Sequence, residues 1–303
     1  MVLSQVIAAM HLWSDIATNI SAATGKPFHC RQQQANGGGC INGAFTVSDN
    51  QQRYFVKLNS ARLIDMFEAE AAGLNQIATS NSIHVPAVIC AGISGDQSYL
   101  VLQHLSFGHA DSRSHQQLGL DLAQMHSHCK QQFGWQRDNT IGLTPQHNKQ
   151  GSDWIEFWRT ERLAFQLQLA ASNGYCGHLQ RLGEQLLADL DLFFTGYSPT
   201  AALLHGDLWS GNYAFGADGC PIIFDPAVYY GDRETDIAMT ELFGGFNSYF
   251  YQAYQEAFSL DDGYPVRKTL YNLYHVLNHL NLFGGGYLSQ AESMLGHLLS
   301  EIR

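Results

Sequence analysis

No stretch of this chain approaches the roughly 20 uninterrupted apolar residues that a membrane-spanning helix needs, which excludes a helical membrane protein. Charge is scarce as well: Asp, Glu, Lys and Arg make up 14% of the residues, against about 25% in a typical globular domain. The basic sign is the scarcer one, with 16 Lys+Arg against 27 Asp+Glu and a formal net charge of −11. A surface that negative repels phosphate backbones, so nucleic-acid binding through a broad basic patch is excluded. The six cysteines (Cys30, Cys40, Cys90, Cys129, Cys176 and Cys220) form no C-x-x-C pair, which argues against a zinc ribbon or a disulfide scaffold. Most of these thiols are expected to serve as small core residues in a reducing cytoplasm. Internal repeats and low-complexity segments are absent. The first twenty residues lack a basic leader and a small-residue cleavage site, so no signal peptide is expected. Leu3, Val6, Ile7, Met10, Trp13, Ile16 and Ile20 recur there at steps of three and four, the spacing of an amphipathic helix.

What the chain does have is length, apolar mass and aromatic rings. Its 303 residues, 45% hydrophobic and 12% aromatic, suffice for about two lobes with real cores. The first hundred residues read as strand-rich: short strands over 28–33, 41–47 and 54–58 are joined through Asn36-Gly37-Gly38-Gly39 and Ser48-Asp49-Asn50. A helix over 62–78 follows, then strands over 85–91 and 99–103. Beyond that, helical patterns occupy 115–129, 152–172, 177–195, 235–258 and 267–282. Two short apolar strands, 201–204 and 221–224, sit among them. A β-rich lobe (1–103) followed by a larger helical lobe (104–303), without a long linker, is an α+β arrangement of two packed lobes.

The chemistry begins with carboxylates at strand ends. Asp207 and Asn212 lie five apart in the loop Leu204-His205-Gly206-Asp207-Leu208-Trp209-Ser210-Gly211-Asn212, and Asp225 ends the next strand eighteen residues on. Phosphoryl transfer uses such parts: a carboxylate to deprotonate the accepting hydroxyl and hard oxygen ligands for Mg²⁺. The catalytic loop of protein kinases has the same interval of five. Each motif alone also fits a capping Asp or a tight turn. In the first lobe, Gly37, Gly38 and Gly39 let backbone N–H groups approach phosphates, and Lys57 sits inside an apolar strand. Glu70 lies on the inward face of its helix, in line with Leu63, Met66 and Leu74. An unpaired carboxylate is costly there. A Lys57–Glu70 ion pair removes both anomalies and aims the ammonium at nucleotide phosphates.

These residues resemble the fructosamine kinase (ketosamine-3-kinase) family, a branch of the aminoglycoside-phosphotransferase-like kinases. The matching stretches are GGGCIN (37–42), FVKLN (55–59), MFEAEAAGL (66–74), LLHGDLWSGN (203–212), IIFDPAVYYGDRETDIAM (222–239), FGGF (243–246) and LNHLNLFG (277–284). The resemblance implies a two-lobed protein-kinase-like fold with ATP between the lobes. It makes Asp207 the catalytic base, Asn212 and Asp225 the Mg²⁺ ligands, and Lys57 with Glu70 the phosphate clamp. Gly37 to Gly39, Gln103 and Leu105 become the other nucleotide contacts. His-Gly-Asp in place of His-Arg-Asp, Asp-Pro in place of Asp-Phe-Gly, and the lack of Ala-Pro-Glu argue against a protein kinase. The implied acceptors are fructosyl- or ribulosyl-amines, free or on glycated proteins, phosphorylated at O-3 and so deglycated. Another small-molecule kinase, acting on an aminoglycoside or choline, and a non-catalytic nucleotide-binding scaffold stay open as other readings.

Trp209, in a loop facing the cleft, is expected to be a stacking platform beside the sugar. Asp236 either braces the catalytic loop or caps its own helix. His275 and His279 share a helix face without the Glu of an H-E-x-x-H zinc motif. Asp153, Trp154, Phe157 and Trp158 with Arg162 start a helix that either lines the acceptor pocket or, the favoured reading, packs in the core. Cys40 directly follows the glycines. The resemblance associates that position with redox sensitivity, and backbone N–H groups around an accessible thiol favour the oxidisable thiolate. The chain is then a monomer or a redox-linked homodimer.

Overall fold

The computed structural model of the chain describes residues 2–37 and 42–302, the side chains of 2–10 excepted. The first region is built on an antiparallel five-stranded sheet in the order β1-β2-β3-β5-β4: β1 (Gln32–Asn36), β2 (Gly43–Ser48), β3 (Arg53–Ser60), β4 (Val88–Ser94) and β5 (Gln97–Gln103). Its two faces are covered by different helices, as the alternation of β3 and β5 requires. Val56, Val101 and Tyr99 turn toward α1 (Val2–Thr24), where they pack with Ile16 and Ile20. Leu100 and Leu102 turn toward α2 (Ile64–Thr79) and meet Phe67 and Leu74. Lys57 pairs in register with Leu100, which puts it on the α2 face.

The second region is mainly helical around one large core. After α3 (Ser112–His126) come the short strands β6 (Cys129–Lys130), β7 (Asn139–Ile141) and β8 (Thr144–Gln146). α4 (Trp154–Phe157), a π-helical segment (Trp158–Ala164) and α5 (Phe165–Ser172) then run end to end, followed by α6 (His178–Ala188). The strands that carry the expected chemistry are β9 (Ala201–Leu204), β10 (Tyr213–Phe215), β11 (Pro221–Ile223) and β12 (Tyr229–Gly231). α7 (Glu234–Leu242), α8 (Ser248–Ala257), α9 (Tyr264–Phe283) and α10 (Leu288–Glu301) complete the chain. Trp154, Phe157, Trp158 and Arg162 are buried in the core, as expected.

Three expectations need correcting. The helix over 235–258 is two helices, because Gly244 and Gly245 both take left-handed backbone between α7 and α8, a conformation that ends a helix and that glycine adopts without strain. The first strand starts at Gln32 rather than at 28, and Phe28 is buried as a loop residue against Tyr54. The cysteines are not core residues: of the five described, Cys30 and Cys90 are half-buried and Cys129, Cys176 and Cys220 are exposed. Cys30 in the loop before β1 and Cys90 on the edge strand β4 pack only against the margin of the α1-side core, while Cys129 on the edge strand β6, Cys176 in the α5–α6 loop and Cys220 in the β10–β11 turn face outward. Partial burial pushes the Cys90 thiol up to about 11, so it stays protonated.

Candidate active site

Strand β9 is buried along its whole length and delivers the chain to His205 and Gly206 at the base of the cleft. Gly206 has φ +82°, and a Cβ there would lie 2.1 Å from the carbonyl oxygen of Ala227, so no other residue fits. The turn is fixed from α7: one Asp236 carboxylate oxygen accepts the His205 N–H at 2.7 Å and the other the Gly206 N–H at 2.8 Å. His126 on α3 bonds the same carboxylate at 3.1 Å, and its other ring nitrogen meets the Tyr254 hydroxyl at 2.8 Å. Burial disfavours the charged form of Asp236, but His126 and the amides outweigh it and hold this carboxyl below its ordinary range. Asp236 therefore has the bracing geometry, spending its carboxylate on the catalytic loop rather than on its own helix.

From this turn the loop presents Asp207. Asn212 closes it, donating through Nδ2 to the Asp207 carbonyl at 2.8 Å and to its carboxylate at 3.2 Å. The β10–β11 hairpin then folds back so that the Phe224 N–H reaches the Asn212 carbonyl at 3.0 Å. That pairing brings Asp225 beside Asp207. His205 is neutral, because burial lowers its pKa. The Asp207 N–H donates to its Nδ1, which leaves Nε2–H to donate to the Phe224 carbonyl at 3.0 Å; the tautomer is assigned from these bonds. Burial, with the charge of Asp225 added, pushes the Asp207 carboxyl up to about 7, against the pull of Asn212.

Across the cleft, Lys57 is buried and its ammonium lies 2.6 Å from Glu70 on α2 and 2.6 Å from Asp225. The first contact is the pair expected from sequence; the second joins the two regions. Burial works against the Lys57 charge, but the two carboxylates outweigh it and hold its pKa above the ordinary value. Glu70 is pushed up to about 7 by burial and by Asp225, because two carboxylates share one cation. Asp225 itself sits at φ +57°, a backbone region that costs a non-glycine residue energy and is found at functional sites.

The remaining expected residues are placed as follows. Gly37 is exposed just past β1, whereas Gly38, Gly39 and Cys40 lie outside the described residues. Gln103 ends β5 and bonds Ala87 through its backbone N–H and its side chain. With Leu105 it lines a cavity of about 350 Å³ that also includes His84, Asp218 and Ile222. Trp209, within the catalytic loop, is 38% exposed and meets Phe243 edge-on at 6.4 Å. From Phe243 a row of rings continues to His279, Phe283 and Tyr287, with centroids 4.9–5.3 Å apart. This row was missed from sequence as a unit, although the stretches FGGF and LNHLNLFG contain most of it. His279 Nδ1 donates to the His275 carbonyl at 2.7 Å, and His275 is buried with its pKa lowered to about 3 by burial.

The donor set suits a hard cation held with phosphate oxygens. Asn212 uses its Nδ2 on Asp207, so its Oδ1 has no hydrogen-bond partner among the described residues, and Asp225 binds Lys57 through Oδ1 only. Among the described residues no three His, Cys, Asp or Glu side chains gather into a metal cage. Mg²⁺ in particular is bound by one or two side chains plus substrate phosphates rather than by a protein cage.

Comparison with known proteins adds the following. The family model described as fructosamine kinase matches residues 12–301. A Synechocystis protein assigned as a ketoamine kinase is 48% identical over 294 residues, covering 95% of this chain and 97% of its own length. The chloroplastic protein-ribulosamine 3-kinase of Arabidopsis thaliana is 41% identical over 271 residues, covering 88% of this chain and 82% of that protein. Among solved structures, a protein from Haemophilus somnus assigned as a fructosamine-3-kinase superposes with a TM-score of 0.89 at 30% identity, over 97% of this chain and 99% of that one. A thermostable aminoglycoside phosphotransferase superposes with a TM-score of 0.62 at 14% identity, over 94% and 98%. The fold is the two-lobed, protein-kinase-like one.

Proposed function

Because this chain belongs to the fructosamine kinase family and is a kinase that uses ATP, we propose that its interlobe cleft moves the terminal phosphoryl group of ATP onto O-3 of a fructosyl- or ribulosyl-amine. The observation that carries this reading is the contact of Lys57 with both Glu70 and Asp225, directly beside Asp207 and Asn212. It supports the reading by bringing a buried ammonium together with the carboxyl and amide groups that phosphoryl transfer uses. We assign residues 1–103 to nucleotide binding and 104–303 to catalysis and acceptor binding.

Asp207 takes the proton from the acceptor hydroxyl as that oxygen bonds to the γ-phosphorus; the bond from phosphorus to the bridging oxygen breaks and ADP leaves with the electron pair. Asn212 and Asp225 would hold Mg²⁺, which when bound neutralises charge on the phosphates. Lys57, oriented by Glu70, grips the phosphates from the opposite side, and Gly37 to Gly39, Gln103 and Leu105 contact the rest of the nucleotide. Trp209 stacks on the sugar, and the row through Phe243 runs onward for the amine-bearing end. That row is aromatic rather than acidic, which favours a ketoamine over the polycationic aminoglycoside reading. Once enolisation reaches C2 of the product, the 3-phosphate is a leaving group, and its loss followed by hydrolysis frees the amine. The acceptor range in this reading is small ketoamines and glycated proteins in a reducing cytoplasm.

The test is an ATP-consumption screen across fructosyl-lysine, ribulosyl-lysine, choline and aminoglycosides, with the phosphate position read by ³¹P NMR. Turnover confined to choline or an aminoglycoside would replace the proposed acceptor, and no turnover of any acceptor would favour a scaffold.

A further inference from the structure

The least explained charge in the molecule is Arg162. Its side chain is fully buried on the π-helical segment between α4 and α5, an irregularity that recurs at functional sites. It enters no ion pair with a carboxylate among the described residues. Instead, the guanidinium carbon lies 4.2 Å over the Tyr229 ring and 4.7 Å over the Phe157 ring, and Nε has no partner. A buried cation without a counterion is expensive, and a hydrophobic residue of similar volume would often serve stability as well or better.

Its hydrogen bonds show where the charge is spent. Arg162 donates to the His147 carbonyl and, at 2.7 Å, to Asn148 Oδ1. Asn148 passes the polarity on, donating to Asn139 Oδ1 at 3.0 Å, and Asn139 donates to the Val228 carbonyl at 2.8 Å. Gln146 donates to the same Asn139 oxygen at 2.8 Å and to the Ala227 carbonyl at 3.1 Å. The Tyr274 hydroxyl donates to Gln146 Oε1 at 2.8 Å and so fixes that amide's orientation. Every member of this chain is buried. It ends on the two carbonyls that follow Asp225-Pro226, and the Ala227 N–H is tied in turn to the His205 carbonyl at 2.8 Å.

We propose that Arg162 is a positioning residue for Asp225: its buried charge polarises an amide chain that clamps Ala227 and Val228, and the clamp holds Asp225 in the left-handed backbone from which its carboxylate serves the metal. A chain of hydrogen bonds in low dielectric strengthens link by link, and a charge-assisted first link strengthens it most. The proposal rests on the reading of Asp225 as a metal ligand.

The test titrates Mn²⁺ into the protein–ADP complex by calorimetry for Arg162→Met, Arg162→Lys, Asn139→Leu and Asp225→Asn, with acceptor KM and hydrogen exchange of the Ala227 amide measured alongside. Loss of a partner that orients a metal ligand typically costs 10–100-fold in affinity. Arg162→Met and Asn139→Leu should therefore each weaken Mn²⁺ binding by about tenfold or more, leave acceptor KM unchanged and speed exchange at Ala227. If Arg162→Met does not fold, Arg162→Lys and Asn139→Leu give the same readout. Wild-type Mn²⁺ affinity in folded Arg162 and Asn139 variants, with Asp225→Asn impaired, would overturn the clamp alone. A parallel fall of stability, Mn²⁺ affinity and acceptor affinity would overturn it too, in favour of a purely structural Arg162. Unchanged Mn²⁺ affinity in Asp225→Asn would overturn the ligand reading on which the proposal stands.

Discussion

The two sides of the cleft are built on opposite plans. On the helical side the catalytic loop is over-determined: Asp236, His126 and Asn212 hold its backbone and side chains through buried bonds, and Gly206 leaves no room for any other residue. On the sheet side the counterpart is one ammonium on a long stem, Lys57, shared between Glu70 and Asp225. Rigid geometry is needed where a proton must be taken from a particular oxygen. A long side chain carrying a point charge suits phosphates that arrive, react and leave.

Breaking the rigid side should cost most in stability. Asp236→Ala leaves two buried backbone N–H groups and His126 without their partner, and should destabilise the protein by about 3–5 kcal/mol, at about 1–3 kcal/mol for each buried group left unpaired. Chemical denaturation measures it, and a loss below ~1 kcal/mol would refute the brace. Asp207→Asn should lower kcat by at least ~100-fold while nucleotide affinity stays near wild type. Comparable turnover of variant and parent would end the assignment of the base.

The same carboxyl supplies the pH tests. Its pKa of about 7 in the folded chain lies above the ordinary value of about 3.9, so the folded state binds the proton more tightly and loses stability as pH climbs from about 4 to about 7. Asp207→Asn should therefore gain stability over the parent at pH 8 and gain little at pH 4. In the parent, kcat/KM for ATP should rise as pH passes about 7, and an unchanged profile in the variant would assign that rise to another group.

On the adaptable side, Lys57→Ala and Glu70→Ala should each raise the KM for ATP by about tenfold or more, the scale of a charge-assisted hydrogen bond. The double variant should lose little more than either single one, because the pair acts as a unit; additive losses would dissolve the pair. The smallest effect belongs to Trp209→Leu, a rise of about two- to tenfold in acceptor KM from the lost ring contact, with the KM for ATP unmoved.

The contrast also explains what could be read from the sequence. Glu70 was legible because a carboxylate on an apolar helix face contradicts periodicity and demands a partner, and Lys57 was the nearest candidate. The Asp207, Asn212 and Asp225 spacing was legible because the loop and the hairpin after it are short, so interval fixes geometry. The segment holding Asn139, Gln146 and Asn148 was not, since its polar residues look like a solvated loop and only tertiary partners bury them. The break at Gly244–Gly245 is hidden in the sequence because apolar residues on both sides keep helical spacing. His126 gave no signal beyond its helix; its partners lie 110 and 128 residues away.

The Lys57 junction has a consequence for the order in which reactants arrive. Before nucleotide binds, the cleft holds one ammonium against the carboxyl groups of Glu70, Asp207 and Asp225, so near neutrality its charge inventory is negative. A bare polyphosphate approaching that surface meets repulsion from Asp225 and from the ionised fraction of Glu70 and Asp207, whereas one already paired with a divalent cation brings the countercharge with it. The protein has thereby delegated half of its electrostatic recognition to the traveller: free ATP should compete poorly with its metal complex, and the concentration that governs turnover is that of the complex rather than of the nucleotide.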